Sequence, residues 1–441
     1  MTSATRERVE YSYLLGIALL RPALALLAYA FGFHQISDDD YSRTVISETF
    51  AHAPQLDPSG TSWLPFPFWV TGLAMMLFGR SIATANIVGV VLSSAATLAF
   101  YLGMRRDGVR HTTAALAVVL ASLSPWNVWC SAAPVPEGFV PPILALAAFE
   151  ISRNRTTGST AALVLAACLS RYEAWPVAAV FAWSALGNRT WKSLLLAALG
   201  PLAWIGWNYT SHGDAFHFFA RVTRYKAGLG EAPESILGAL LRYPESLWRE
   251  APVLVTLGAL ATIIAAFGGI RRDTAPIVRS RALRLVLVLV ALYAFLAYGE
   301  IRGGAPTHHA ERAFLTVLWV LALPLAESAV SLWHYDNTST RWRARLLVLP
   351  LAFVLYDLAQ LRMPPGNAAA ETREAQLLRG KELRDSNPTH VALVPCAYEH
   401  FALIAAFGSP ERVEIARPEP SATTTPMNRA ATDCPRVTAT P

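Results

Sequence analysis

The stretch YSYLLGIALLRPALALLAYAFGF (Tyr11–Phe33), followed directly by HQISDDDYSR (His34–Arg43), decides how the chain is read. Its first part is long and apolar enough to cross a hydrocarbon core of about 30 Å. It is too long for the core of a signal peptide, and no small-residue cleavage site follows it, so it stays as a first span. Its second part sets three carboxylates at the surface of that membrane. Similar apolar runs recur along all 441 residues, of which 54% are hydrophobic and only 15% charged, with a mean hydropathy of +0.35. Soluble domains carry roughly 25% charged residues. The composition therefore predicts an all-α polytopic membrane protein and argues against a soluble enzyme, a disordered scaffold or a disulfide-built secreted module.

The net charge is +6, from 37 Lys and Arg against 31 Asp and Glu. The positive residues fall in short loops between apolar runs, a pattern that reports membrane orientation and not nucleic-acid binding. Expected spans are about 11–33, 82–104, 112–130, 138–152, 159–170, 174–187, 193–209, 251–270, 283–299, 313–331 and 345–362, about eleven in all. Alternate loops are then basic: Arg105-Arg106, Arg153/Arg155, Arg189/Lys192, the run from Arg271 to Arg284, and Arg341/Arg343/Arg345. Arg6 and Arg8 place the N-terminus on the same, cytoplasmic side. That parity requires the short run from Leu64 to Gly79, opening with Leu64-Pro65-Phe66-Pro67-Phe68-Trp69, to be re-entrant or surface-lying. The transmembrane domain then covers 1–362, with a first outer loop at 34–81. Heavy use of Ala, Arg and Leu points to a GC-rich bacterium, hence a multi-pass protein of the bacterial inner membrane.

Beyond residue 363 the pattern changes to a small α/β appendage on the outer side, 363–417, and then a Pro/Thr/Ala-rich tail, 418–441, expected to be disordered. A helix is expected over 368–384, strands at 391–395 and 412–415, and a second helix over 398–407. Cys130 and Cys168 lie in or beside apolar runs. Cys396 and Cys434 would face an oxidising compartment, where they can pair or stay free.

The outward loops hold the unusual motifs. Three adjacent carboxylates, Asp38-Asp39-Asp40, repel one another and are costly near hydrocarbon, so an arginine, a shared proton or a divalent cation (Mg or Mn) must offset them. One of them can also act as general base on a hydroxyl; Ser37 or Asp38 can cap the helix expected to start near Tyr41. Arg171-Tyr172-Glu173-Ala174-Trp175 interrupts two apolar runs, and ionisable residues at such a boundary mark a functional site or a flanking ion pair. The loop from Glu300 to Arg312 offers Arg302 and Arg312 as bidentate phosphate partners, with His308 and His309 between them. Arg221 and Arg224 share a helical face in the long loop 210–250. There is no P-loop and no Ser-His-Asp pattern.

One span, an outer loop opening with acidic residues, a proline-aromatic surface helix and then a long bundle: this order resembles the GT-C membrane glycosyltransferases, especially the protein O-mannosyltransferase and lipid A aminoarabinose transferase branch. The resemblance is carried by Asp38-Asp39-Asp40 and by 64–79 over roughly the first 110 residues, and by topology beyond them. The families usually show an Asp-Glu pair and a Pro-Pro pair where this chain has three aspartates and Pro65-Phe66-Pro67. What the resemblance implies is inverting transfer of a sugar from a polyprenyl-phosphate carrier to a lipid, glycan or protein acceptor. Asp38 or Asp39 would be the base; Asp40 would orient Arg43 or bind a cation. Arg43, Arg171, Tyr172, Glu173, Arg302, His308 and Arg312 would bind substrate. A transporter or lipid-linked sugar flippase is the alternative, and an envelope assembly protein a third reading.

Overall fold

The computed structural model describes residues 3–60, 62–228, 235–267, 275–303, 310–333, 356–362, 373–394, 398–415 and 436–440. His308 and His309, the basic residues Arg271, Arg272, Arg341, Arg343 and Arg345, most of the eleventh expected span, and Cys396 and Cys434 lie outside the described residues.

The described chain is mostly helical. In order come α1 (Ser3–Ala30), α2 (Asp38–His52), α3 (Phe66–Phe78), α4 (Ile82–Arg106), α5 (His111–Ser122), α6 (Pro125–Ala132), α7 (Val140–Ser152), α8 (Gly158–Cys168), α9 (Ala174–Gly187) and α10 (Trp191–His212). There follow α11 (His217–Gly228), α12 (Ile236–Glu250), α13 (Pro252–Phe267), α14 (Ala275–Ile301), α15 (Ala310–Ala313) and α16 (Leu315–Trp333). The chain then forms α17 (Glu374–Ser386), β1 (His390–Val394), α18 (His400–Phe407), β2 (Val413–Ile415) and β3 (Arg436–Thr440).

Of the expected spans, four described helices are by themselves long and apolar enough to cross a membrane: Arg8–Ala30, Ile82–Arg106, Pro276–Ile301 and Leu315–Trp333. Two bent pairs raise the number to six, α5 with α6 at 81° and α12 with α13 at 111°. The difference is one of length. The runs expected at 138–152, 159–170 and 174–187 become helices of 13, 11 and 14 residues. At about 1.5 Å per residue these reach only roughly 16–21 Å. Left-handed turns at Asn154 and Arg189 (φ 57° at both) follow the first and the third of them. The run at 112–130 breaks because Pro125 sits at the start of α6 and cannot donate back into α5. The 13-residue α3 is likewise too short to cross, and it packs against α2 and α4.

The bundle's main core joins α1, α4, α5, α6, α7 and α16. At its centre lies Arg21, fully buried within α1. Its Nε donates to Thr97 Oγ1 (3.1 Å) and its Nη1 to the Asn127 carbonyl (2.9 Å), while the guanidinium lies 5.0 Å from the Trp319 ring centroid. Asn127 Oδ1 in turn accepts the Trp319 indole N–H at 2.8 Å. One arginine thus ties α1 to α4, α6 and α16.

The C-terminal residues form a three-stranded sheet of order β2-β1-β3, β1 pairing parallel with β2 and antiparallel with β3. The pair α17 and α18 covers it, and Gly380 permits the approach, since a Cβ there would stand 2.3 Å from the Leu403 carbonyl oxygen. Residues 436–440, inside the segment whose composition reads as loose, occupy the free edge of β1. Val437, Thr438 and Thr440 are β-branched, and pairing satisfies that edge's backbone. The unit docks on α2: Tyr41 packs with Ala402 and Ala405, and Arg80 Nη1 pairs with Glu411 at 2.7 Å.

Replacement of Arg21 by Met is expected to lower stability by about 3 kcal/mol, because it removes two charge-assisted hydrogen bonds and leaves their acceptors buried. Thermal unfolding in detergent measures this; an unchanged midpoint would show that Arg21 does not hold the bundle together.

Candidate active site

The three aspartates open α2, where negative charge complements the helix dipole. Ser37 is the N-cap and accepts the Asp39 N–H at 3.4 Å, so the helix starts at Asp38. Helical geometry then fans the carboxylates apart. Asp38 takes a bidentate pair from Arg373, with Nε–Oδ1 of 2.9 Å and Nη2–Oδ2 of 2.8 Å. Asp39 keeps its side chain 37% exposed and lies 3.5 Å from Arg312 Nη2. Asp40 turns inward, is 4% exposed and accepts the Ile36 N–H at 2.7 Å. Burial, outweighing that hydrogen bond and the charges of Arg312 and Arg43, pushes the Asp40 carboxyl up to about 7.

A fourth carboxylate, Glu137, organises the arginines. It lies on the 3-10 turn Pro136–Gly138 between α6 and α7, and only glycine fits next to it, because a Cβ on Gly138 would stand 2.5 Å from the Cys130 carbonyl oxygen. Glu137 Oε1 lies 3.0 Å from Arg171 Nη1 and 3.7 Å from Arg312 Nη1. Burial alone would raise its pKa, but Arg171, Arg312 and Arg43 together hold it down at about 2. Arg171 also forks onto Glu173, its Nε 3.1 Å from Oε2 and its Nη2 against Oε1. Between them, the Tyr172 hydroxyl donates to the Ser62 carbonyl (2.8 Å) and accepts the Trp204 indole N–H (3.1 Å), which fixes the interrupting turn against the first loop.

These groups line one cavity of about 430 Å³. Two further cations border it. The Arg43 guanidinium stacks 4.3 Å from the Trp63 ring centroid, and its Nε has no hydrogen-bond partner among the described residues. Burial pulls Arg43 below its ordinary value, opposed by the charges of Glu137 and Asp39. Arg221, from α11, donates to the Gly60 carbonyl at 2.5 Å. Neither Arg43 nor Arg221 has a carboxylate within ion-pair distance among the described residues. Tyr398 and Phe401 of the C-terminal unit close the remaining side.

Of the residues singled out from sequence, Asp38, Asp39, Arg43, Arg171, Tyr172, Glu173 and Arg312 thus meet around one space. Asp40 lies behind it. Arg302 is exposed on the turn after α14 and does not line it, and His308 lies outside the described residues. Among the described residues no three His, Cys, Asp or Glu side chains converge in a metal-binding group. The aspartate trio is split, each member pointing to a different partner.

Sequence reading missed Glu137, Arg373, Tyr398 and Phe401. Glu137 sits in Pro134-Val135-Pro136-Glu137-Gly138, where a lone acid between prolines was the available signal. It also missed Glu300, which is buried and accepts from the Tyr243 hydroxyl (2.8 Å) and Lys226 Nζ (3.3 Å), with Arg242 Nη1 at 3.4 Å. That cluster anchors α11 and α12, so that Arg221 and Tyr225 reach the cavity.

Fold and site together define a helical protein with membrane-crossing helices and a cavity lined by interlocked acids and arginines. No protein-family model matches the chain, and no curated protein sequence matches it. Among solved structures it is similar to ArnT from Cupriavidus metallidurans in the apo state, at 14% identity and a TM-score of 0.43, covering 91% of this chain and 89% of that chain.

Two outcomes are expected. The raised pKa of Asp40 means that the folded state holds its proton longer than the unfolded chain, so stability falls as pH rises from about 4 to about 7. Asp40→Asn should flatten that slope and raise the melting point at pH 8; a slope unchanged in the variant would refute the buried neutral carboxyl. Glu137, held low, stabilises above its unfolded value near 4.5, and that contribution is lost as pH falls toward about 2. Glu137→Gln should cost about 3–5 kcal/mol at neutral pH, because it leaves two buried guanidinium groups short of a charge.

Proposed function

We propose that this chain is an integral-membrane inverting glycosyltransferase. It moves a sugar from a polyprenyl-phosphate carrier to an acceptor hydroxyl on a lipid, glycan or protein, on the outer face of a bacterial inner membrane, with Asp39 as general base. One observation carries the reading. In a cavity of about 430 Å³ the most exposed carboxylate, Asp39, faces arginines of which two, Arg43 and Arg221, lack a carboxylate partner among the described residues.

The chemistry follows from those assignments. The acceptor oxygen attacks the anomeric carbon while its proton passes to Asp39. The bond from that carbon to the phosphate oxygen breaks, and its electron pair leaves on the lipid phosphate. Arg43 and Arg221 receive that growing charge as preorganised cations. Arg43 is the better placed energetically, because an incoming phosphate relieves a buried and under-compensated guanidinium. Arg312 touches both Asp39 and Glu137, so it stays held by Glu137 when Asp39 is neutralised. Asp38, clamped by Arg373, positions the start of α2 and takes no proton. The resemblance borne by Asp38-Asp39-Asp40 and by 64–79 supports the same class of reaction. A divalent cation has no assigned part in these steps.

The test is sugar release in lipid vesicles from a panel of polyprenyl-phosphate sugars. Asp39→Asn should slow release by about 10²–10⁴-fold with the fold intact, as for loss of a general base. Asp38→Asn should slow it far less. Full activity in both variants would sink the base assignment, and a wild-type protein that neither binds nor turns over any donor would redirect the reading to transport.

A further inference from the structure

A second cavity, of about 420 Å³, lies at the C-terminal end of α4. The 25-residue α4 is about 37 Å long. Its first end adjoins the C-terminal unit, where Arg384 reaches the Arg80 carbonyl; its last turn carries Arg105 and Arg106. The second cavity is a slot between α4 and α8 with α7 as its floor. Gly103 lets α4 and α7 close tightly, since a Cβ there would stand 2.3 Å from Leu146 Cδ1. The walls are mostly apolar, with Leu102, Leu146, Phe149 and Leu163 among them.

The mouth is polar and carries a surplus of positive charge. Arg106, Arg153 and Arg155 face Asp107 and Glu150. Glu150 is wholly engaged in starting α8: it accepts the Thr157 N–H and the Thr157 and Thr160 hydroxyls, each at 2.8 Å. Asp107 is shared between Arg153 (3.1 Å) and Arg155 (2.5 Å). Arg153 is held further by Glu327 at 3.2 Å. Arg106 is exposed and has no carboxylate within ion-pair distance among the described residues. With Glu327 counted, three acids stand against Arg106, Arg153, Arg155 and Arg281, whose charge acts on Arg153, Asp107 and Glu327; Glu150 is fully occupied, and one guanidinium is uncommitted at the rim of an apolar slot.

We infer that this slot binds an anionic glycerophospholipid of the surrounding bilayer, one acyl chain lying between α4 and α8 and the phosphodiester on Arg106 and Arg155. The charge selects the occupant. A zwitterionic lipid brings its own cation to a mouth already in positive surplus, whereas an anionic one neutralises it, as basic pockets between membrane helices do. The slot is apart from the sugar-transfer cavity, and the inference does not depend on the reaction proposed there.

Native mass spectrometry of the full chain in detergent tests it, with phosphatidylglycerol and phosphatidylcholine of identical acyl chains titrated in parallel. Phosphatidylglycerol should bind about tenfold more tightly, the size expected for one charge-assisted phosphate contact. Arg106→Gln should bring the two lipids to near parity, and Ala162→Trp, which fills the slot from an exposed position, should abolish the tight adduct. Both positions face out of the core, so a matching circular dichroism spectrum is expected. Equal affinity for the two lipids in the wild type, or phosphatidylglycerol binding unchanged in both variants, would overturn the inference. Displacement of phosphatidylglycerol by equimolar polyprenyl phosphate would also overturn it, by making the slot a carrier site.

Discussion

The buried carboxylate of Glu137 is the constraint on which the rest of the site depends. A single acid between α6 and α7 gathers Arg171, arriving from the turn between α8 and α9, and Arg312, arriving from α15. Through Arg312 it reaches Asp39 at the start of α2. Segments that lie far apart in the chain are thus drawn to one point by charge. Buried arginines of this kind are tolerable only when compensated, so the acid and the cations fix one another's positions. The compensation is incomplete by design of the surroundings: Arg43 and Arg221 remain open to an anion.

A second level of support keeps that arrangement rigid. Arg21 ties α1 to α4, α6 and α16 in the core, so the broken helix formed by α5 and α6 presents its far end, and Glu137 beyond it, at a fixed height. The Glu300 cluster does the same for α11 and α12. The C-terminal unit acts from the other side, where Arg373 holds Asp38 and Tyr398 and Phe401 wall the cavity. The site is therefore shared between bundle and appendage, and neither alone would enclose it.

The aspartate trio shows how a local structure separates identical side chains. Successive helical residues point about 100° apart, so Asp38 meets Arg373, Asp39 faces the cavity and Asp40 enters the protein. Burial, outweighing a backbone hydrogen bond and the charges of Arg312 and Arg43, then pushes Asp40 alone toward neutrality.

The sequence by itself determined the membrane class, the apolar runs, Ser37 as a cap of the helix after the first span, the interrupting Arg171-Tyr172-Glu173 and the strands and helices between residues 374 and 415, but not the strand at 436–440. These follow from composition and from short-range periodicity, which act within a few residues. Helix lengths escaped it, because an apolar run of ordinary hydropathy does not reveal where a left-handed turn at Asn154 or a bend before Pro125 will cut it. Which aspartate faces the cavity, the central place of Glu137, the exclusion of Arg302 and the bidentate Arg373–Asp38 pair were decided only by the tertiary structure. Each depends on residues far apart in the chain, and no local pattern encodes which distant charge will compensate a buried one.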